Sequence, residues 1–331
     1  MRIAAVTALL LAAFLAAVAL PAAFAAAPAA KAATLLAAGD IARCADLTGA
    51  RATARLLARF PGVVAPLGDL AYPDGRGTDF RCFDRTWGRE KRRMRPTPGN
   101  HEYHTPQAAG YFAYFGPRAG RRGEGYYSYE LGTWHVIVIN SNCQEIGGCQ
   151  AGSPQESWLR RDLAAHPTAC ALAYWHHPLW SSGEKPEHAR HAEMKPIWQA
   201  LYDGGVEIVL NGHEHNFERF APQDPEGRLD PEHGIREFVV GTGGKDFDPL
   251  AAPTPNSEVR RDDTVGVLKL TLASDRYAWE FVPVAGKSFS DAGEGVCHQS
   301  PVRSTQGGGV PFPPRGREGD RGVAGAIRST P

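Results

Sequence analysis

The chain has 331 residues, with 36 basic and 36 acidic side chains and therefore no formal net charge at pH 7. This length, with 43% hydrophobic residues, suffices to bury a full core. The balanced charge excludes a strongly basic chain of the kind that binds a nucleic-acid scaffold, and it leaves small-molecule partners open.

The amino terminus has the pattern of a secretory signal. Met1 and Arg2 precede an apolar run at residues 3–20, and the small-residue pattern Ala-Phe-Ala follows at residues 23–25. We expect a signal peptide at residues 1–25 and a secreted mature protein, periplasmic or extracellular, with no membrane attachment. The alternative is an uncleaved anchor, because the run is nearly long enough to span a bilayer.

Six cysteines, an even number, lie beyond the expected signal. In an exported chain this pattern favours disulfides over metal-binding thiolates, and no CxxC spacing indicates a zinc knuckle. Cys143 and Cys149 flank a glycine-rich loop and are predicted to pair with each other.

One globular domain is expected at residues 34–288. From about residue 301 the composition turns to Gly, Pro and Arg without periodicity. Such a segment buries too little apolar surface to offset its ordering entropy, so we predict a disordered tail at residues 301–331.

Within the expected domain, short apolar runs alternate with helical patterns, which is typical of an α/β fold. Strands are predicted at residues 34–38, 63–67, 126–131, 134–140, 170–175, 207–210, 238–240, 265–272 and 277–284. Helices are predicted at residues 50–60, 111–115, 155–166 and 194–202. The first two strands flank a helix and should be parallel, whereas the last two should be antiparallel strands that complete a second sheet. Ser153 and Pro154 suit the cap and first turn of the third helix.

Polar side chains follow several of these runs, at the points where the predicted strands end. They are Asp40, Asp69, Tyr72, Asn100, His101, His176, His177, His213 and His215. Open α/β sheets bind ligands at the carboxyl ends of their strands, so these side chains are expected to lie close together.

Each of these residues has a structural alternative. An aspartate after a strand is often a helix cap, and a tyrosine is usually a core aromatic. A single His-X-His is more often a turn or a satisfied polar cluster than a metal site. These alternatives would have to hold independently at several strand ends, which favours a shared site.

The donor types indicate a pair of metal ions. Two ions about 3.5–4 Å apart repel each other, so a carboxylate must bridge them and leave an open position for water and substrate. Mixed oxygen and imidazole donors suit iron, zinc or manganese, whereas calcium prefers oxygen alone.

Five ordered motifs resemble those of the calcineurin-like metallophosphoesterases, and within them the purple acid phosphatases. The family motifs GDxG, GDxxY, GNH[ED], VxxH and GHxH correspond here to GDIA at 39–42, GDLAY at 68–72, GNHE at 99–102, AYWH at 173–176 and GHEH at 212–215. The tyrosine of the second motif separates purple acid phosphatases from most other members. The resemblance implies an α/β (α+β) fold, a four-layer αββα sandwich with mixed sheets and a metal site at strand carboxyl ends.

The resemblance also implies a role for each matching residue. Asp40, Tyr72 and His215 would bind the first metal, usually iron(III). Asn100, His176 and His213 would bind the second, which would be zinc, manganese or iron. Asp69 would bridge the two ions. Substrate contacts are expected from Asn100, His101 and His177, and the candidate general acids are His101, His188 and His191.

Three departures from the family pattern bear on this transfer. Ala42 and Ala173 replace a glycine and a valine at positions that supply no side-chain ligand. His188 and His191 are separated, whereas the plant enzymes carry adjacent histidines in this loop.

The implied reaction is hydrolysis of a small-molecule phosphate monoester by attack of a metal-bound hydroxide. One alternative is a phosphodiesterase of the same fold, because the motifs do not separate the two activities. Another is a non-catalytic metal-binding surface protein. The second metal, the natural substrate and the oligomeric state stay open at this point.

Overall fold

Two β-sheets that share one apolar core form the framework of the protein, in a computed structural model that describes residues 31–168, 170–185 and 191–298. Three predicted features lie outside the described residues: the signal peptide at residues 1–25, the candidate acid His188 and the tail at residues 301–331.

The described residues contain fourteen strands and six α-helices. The strands are β1 (Ala33–Ala38), β2 (Ala42–Arg43), β3 (Val63–Pro66), β4 (Ala71–Tyr72), β5 (Tyr127–Leu131), β6 (Trp134–Val138), β7 (Ala171–Tyr174), β8 (Ile208–Asn211), β9 (Phe217–Phe220), β10 (Arg236–Val240), β11 (Ser257–Arg261), β12 (Gly266–Leu272), β13 (Arg276–Pro283) and β14 (Ala292–Val296). The helices are α1 (Thr48–Leu57), α2 (Gly77–Asp84), α3 (Asn100–Tyr103), α4 (Ala109–Phe115), α5 (Pro154–Ala165) and α6 (Lys195–Asp203).

The first sheet has the strand order β14-β13-β12-β1-β3. β1 and β3 are parallel, with Leu35 opposite Val63, which confirms the prediction made from the helix between them. β12 and β13 are antiparallel, as predicted, and β12 pairs antiparallel with β1. The carboxyl ends of β1 and β3 therefore meet at one edge of this sheet.

The second sheet has the order β11-β9-β10-β8-β7-β6-β5. Its central strands β6, β7, β8 and β10 are parallel, and antiparallel strands complete both sides. β2 and β4 form a separate two-stranded parallel ribbon. The predicted mixed-sheet α/β class is confirmed.

Alternation along β6 shows how the second sheet buries both of its faces. Val136 and Val138 join the core that the two sheets share. Ile137 and Ile139 face the other way, into a second core formed with α5 and α6. A strand buried on both faces is apolar at nearly every position, as a parallel sheet between two layers requires, and His135 is the polar exception in β6.

A helix covers the outer face of the first sheet as well. α1 packs against β12, and the ammonium of Lys269 in that strand lies 5.0 Å from the ring centre of Phe60, just beyond α1. The neighbouring Leu268 and Leu270 point to the opposite face and belong to the shared core. The layers thus run helix, sheet, sheet, helix.

All six cysteines form disulfides, namely Cys44–Cys82, Cys143–Cys149 and Cys170–Cys297. The pairing of Cys143 with Cys149 confirms the prediction. Across the described ranges, no helix has the length and apolar character that a bilayer span requires.

Five strands, β2, β4, β9, β11 and β14, were not predicted from the pattern. β14 lies beyond residue 288 and pairs with β13. The pattern did not indicate β14 because two of its five residues are glycines. Both glycines are needed, because a Cβ atom at Gly293 would lie 2.3 Å from the Trp279 ring and one at Gly295 would lie 2.3 Å from the Tyr277 ring. Two large aromatic rings thus cover a strand with little β propensity of its own.

Candidate metal centre

The predicted site residues follow strands of both sheets. Asp40 follows β1, Asp69 follows β3, His176 follows β7 and His213 follows β8. Asp40, Asp69 and His213 have positive φ angles of 61°, 52° and 73°. Left-handed backbone is unfavourable for residues with a Cβ and persists where the surroundings impose it, typically at functional sites.

Glycine at position 99 allows the third motif to approach the second. A Cβ atom on Gly99 would lie 2.1 Å from Oδ1 of Asp69 and 2.5 Å from its backbone nitrogen. The glycine is therefore required for close contact between the loop that carries Asn100 and the loop that carries Asp69.

One group of candidate metal-ligand atoms converges on the hydroxyl of Tyr72. This oxygen lies 2.9 Å from Oδ1 of Asp40, 3.1 Å from Oδ2 of Asp69 and 3.1 Å from Nε2 of His215. All four side chains are buried. Burial, followed by the charges of Asp40 and Asp69, raises the pKa of the Tyr72 phenol well above its ordinary value. These are the residues predicted for the first metal and the bridge.

A second group converges on Nε2 of His176. That atom lies 3.1 Å from Oδ1 of Asn100, 3.2 Å from Nδ1 of His213 and 3.4 Å from Oδ1 of Asp69. The other ring nitrogen of His176 lies 2.8 Å from the carbonyl oxygen of Leu67. A carbonyl only accepts, so Nδ1 donates, and when the ring is neutral the lone pair of Nε2 faces the other candidate ligand atoms. These are the residues predicted for the second metal.

Asp69 lies between the two groups. Its Oδ2 atom faces Tyr72, while its Oδ1 atom faces His176 and accepts a hydrogen bond from the backbone N–H of His101 at 2.9 Å. Burial would raise the pKa of the Asp69 carboxyl, but His176 and His101 outweigh burial and hold this pKa well below its ordinary value. A bridging ligand needs this central position.

The donor set fits a pair of cations. Two buried carboxylates, a phenol, an amide oxygen and three imidazoles surround one space, and donor atoms of Asp40, Asp69 and His176 lie within 4.8 Å of one another. Buried carboxylates require compensating positive charge. The mixture of oxygen and imidazole donors matches iron, zinc or manganese.

The other predicted histidines lie around this centre. The Nε2 atom of His101 is 3.7 Å from Oδ2 of Asp69, and its ring centre is 4.4 Å from that of Tyr72. The ring centre of His177 lies 4.5 Å from those of both His191 and His213. The structure thus brings together every predicted site residue that it describes.

The sequence profile of the calcineurin-like phosphoesterase family matches residues 31–217, more than half of the chain. The chain belongs to this family.

Relatives of this phosphoesterase chain include purple acid phosphatase 18 from Arabidopsis thaliana. The two are 29% identical over 232 residues, which are 64% of this chain and 51% of that protein. The chain thus matches only about half the length of this relative. The resemblance to purple acid phosphatases is confirmed.

Two solved structures share the fold. A purple acid phosphatase from yellow lupin (Lupinus luteus) seeds superposes with a TM-score of 0.65 at 19% identity, over 80% of this chain and 54% of that one. GAP50, the anchor in the inner membrane complex of Plasmodium, superposes with a TM-score of 0.62 at 12% identity, over 82% of this chain and 90% of that one. One fold thus occurs in an enzyme and in an anchor, so the site must decide function.

Glu102 is a residue of this phosphoesterase site whose role the sequence analysis missed. Its buried carboxylate accepts hydrogen bonds from the backbone N–H groups of Gly99, Asp69, Leu70 and Ala71 at 2.8, 2.9, 2.9 and 3.3 Å. It therefore holds the second and third motifs together. The glutamate three residues after Gly99 is a capping-box signal, which could have indicated the bond to Gly99.

The opening of the site carries positive charge that was also not predicted. A cavity of about 630 Å³ lies over the predicted ligands, and Arg43, Lys185 and Lys245 line it.

Two carboxylates contact the second ring nitrogen of His215. The Nδ1 atom of His215 lies 3.3 Å from Oδ1 of Asp246 and 3.6 Å from Oδ2 of Asp248. Burial lowers the pKa of His215, but Asp246 and Asp40 outweigh burial and raise this pKa to about 10.

Proposed function

We propose that the protein is an exported, dinuclear metal-dependent phosphatase that hydrolyses phosphate monoesters. The observation that carries this proposal is the convergence of the predicted donors on both sides of Asp69. Oδ2 of that carboxylate faces Tyr72, and Oδ1 faces His176.

Asp40, Tyr72 and His215 would hold one ion, which we propose to be iron(III) because a phenolate is a hard anionic ligand. Asn100, His176 and His213 would hold zinc, manganese or iron, with Asp69 shared between the ions. When bound, the pair would supply Lewis acidity and activate water for attack on phosphorus.

His101 would orient the phosphate. Its Nδ1 atom is bonded to the carbonyl oxygen of Pro73, so Nδ1 donates, and the ring lines the cavity. The Nε2 atom can then bind a phosphoryl oxygen when it is protonated, and it can deliver that proton to the leaving alkoxide. Asn100 lines the same cavity and would contact the same phosphate.

His177 and His191 form the far side of the site. Oγ of Ser141 accepts from the backbone N–H of His177 at 3.1 Å and also lies 2.8 Å from the Nδ1 atom of the same residue. This pairing fixes the orientation of the His177 ring. The ring centre of His191 is 5.0 Å from that of His213, which keeps His191 as a second candidate for the general acid.

Export is supported by the cysteines. All six are paired in disulfides, which form and persist in oxidising compartments. The signal-peptide pattern at residues 1–25 supports the same destination.

The test is a substrate panel on the purified mature protein, with p-nitrophenyl phosphate as the monoester and bis(p-nitrophenyl) phosphate as the diester. We expect kcat/KM to be at least about tenfold higher for the monoester, together with two metal ions per chain. A preference for the diester would identify the phosphodiesterase instead. Bound metal without hydrolysis of either ester would identify a non-catalytic binding protein.

A further inference from the structure

Three cationic side chains, Arg43, Lys185 and Lys245, line the same cavity as the predicted metal ligands, and each comes from a different segment of the chain. We propose that they form a second anion subsite, which selects phosphate esters whose leaving group carries a further phosphate. This inference rests on the proposed phosphatase activity and names its substrate class.

Arg43 is held in place by its backbone. It lies in β2 opposite Tyr72 in β4, and the next residue, Cys44, is joined by a disulfide to Cys82. Its side chain is 54% exposed. The guanidinium thus projects from a fixed ribbon that also carries a predicted metal ligand.

Lys245 and Lys185 are anchored to the metal loops as well. The backbone N–H of Lys245 donates to the carbonyl oxygen of Asp40 at 2.9 Å. Lys185 pairs with the buried carboxylate of Asp248, and the backbone N–H of Asp248 donates to the carbonyl oxygen of His215 at 3.2 Å. The backbone segments that carry these cations therefore have fixed positions relative to the predicted metal ligands.

The existing ion pairs leave room for a substrate anion. Within the described residues, Arg43 pairs with Asp246 at 3.7 Å, which is longer than a charge-assisted hydrogen bond, and Asp246 is 58% exposed. Asp246 also pairs with Lys245 and with His215. Among the residues that the structure describes at this rim, three cations face the carboxylates of Asp246 and Asp248, so positive charge is in excess among them. The planar guanidinium suits bidentate binding of a phosphate.

The expected change in kcat/KM follows from the solvent exposure of these cationic side chains. An exposed ion pair contributes modestly, so Arg43 alone is expected to improve kcat/KM for a doubly phosphorylated substrate about threefold, and the three cations together about tenfold. Salt screens such charges, so the preference should decrease when the NaCl concentration is raised from about 50 to about 500 mM.

The experiment compares fructose 6-phosphate with fructose 1,6-bisphosphate, whose two phosphates are both esters of primary alcohols, on the metal-loaded full chain. We expect the wild type to prefer the bisphosphate about tenfold in kcat/KM. Arg43→Ala should lower this preference about threefold and leave fructose 6-phosphate unchanged, and Arg43→Lys should restore part of it. Arg43→Ala combined with Lys245→Met should reduce the preference to about twofold, the statistical value for two similar phosphates. Because the preference is the ratio of two kcat/KM values, a loss of activity that affects both substrates equally does not change it.

Arg55→Ala is the matched control, because it removes the same charge from an exposed position of α1 that lines a different cavity. A wild-type preference below about twofold would overturn the subsite, as would equal losses on both substrates in Arg43→Ala. If neither sugar phosphate is hydrolysed, the proposed function fails, and calorimetric binding of the same two compounds still tests the subsite. Equal affinities in wild type and Arg43→Ala would then reject it.

Discussion

The carboxylate of Glu102 accepts a hydrogen bond from the backbone N–H of Asp69 at 2.9 Å, across 33 positions of sequence. The same side chain also accepts bonds from Gly99, Leu70 and Ala71. The buried side chain of Glu102 thus fixes the backbone conformation of Asp69, which lies at the centre of the predicted metal site. Its influence on metal binding is indirect and can be separated from that of the ligands.

Glu102→Ala is expected to lower the free energy of unfolding by about 3 kcal/mol, because buried N–H donors lose their acceptor. Metal affinity should fall with it, since the Asp69 backbone is no longer fixed. Denaturant unfolding and metal titration measure the two effects. Exposed Glu232→Ala is the control, and an unchanged metal affinity in folded Glu102→Ala would contradict the positioning role.

Asp69→Ala is expected to lose both metal ions and to lower kcat/KM more than about a hundredfold, because a carboxylate whose two oxygens face the two groups is removed. Metal analysis after gel filtration and p-nitrophenyl phosphate turnover provide the measurements. Asp275→Ala, an exposed substitution, should behave as wild type. Two ions retained in folded Asp69→Ala would show that Asp69 is not the bridge.

Tyr72→Phe is expected to abolish a visible absorption band of the iron-loaded protein. Burial and the charges of Asp40 and Asp69 raise the pKa of the phenol well above its ordinary value, so only a bound cation can favour the coloured phenolate. Visible spectra before and after chelation test this. Tyr202→Phe removes a tyrosine hydroxyl of α6 that bonds to Asp230 instead, and it should keep the band. An iron-loaded wild type without colour would exclude Tyr72 as a ligand.

His101→Ala separates orientation from proton delivery. With an activated aryl phosphate, whose leaving group needs no proton, the loss reports phosphate binding alone, and we expect about tenfold. With an alkyl phosphate the loss should be about a hundredfold or more, and it should be largest on the acidic side of a pH profile that has its maximum below pH 7. Equal losses on both substrates at every pH would show that His101 only orients the phosphate, and His191 would then be the candidate general acid.

His135 is a pH-dependent stabilising residue remote from the predicted metal site. Its Nδ1 and Nε2 atoms each lie 2.7 Å from a carboxylate oxygen, of Glu130 and Asp162, and the His166 ring stacks on it at 4.4 Å. Burial lowers the pKa of His135, but Asp162 and Glu130 outweigh burial and raise it above 6.5. Burial likewise raises the pKa of Asp162, but its hydrogen bonds to His135 and Ser128 lower it below 3.8.

The sign of the effect follows from these directions. The histidine contribution is complete below about pH 6.5 and is lost as the pH rises through the folded-state pKa. The aspartate contribution is present above about pH 3.8 and is lost on acidification. His135→Gln should therefore reduce the free energy of unfolding more at pH 5.5 than at pH 9, measured with urea, whereas exposed His233→Gln should show no such difference. Equal reductions at both pH values would contradict the ion-pair account.

Local pattern predicted candidate ligands at the ends of strands, whereas the role of each candidate was implied by the family resemblance. An apolar run followed by Gly-Asp is visible at both Asp40 and Asp69, and each aspartate lies at the carboxyl end of its strand. The functions of Glu102 and Arg43 were not predictable in this way. Glu102 bonds to residues more than 30 positions earlier, and Arg43 faces a carboxylate about 200 positions later. Contacts of this kind depend on how the two sheets pack, which no window of sequence contains.

The order in which the donors occur along the chain has a consequence for the cell. The predicted ligands extend from Asp40 to His215 and follow strands of two different sheets, so the site is incomplete until both sheets have formed and docked. A chain that crosses a membrane unfolded could not carry these ions with it. The metal supply of the compartment where the protein folds, rather than that of the compartment where it is synthesised, would then determine which ion occupies the second position.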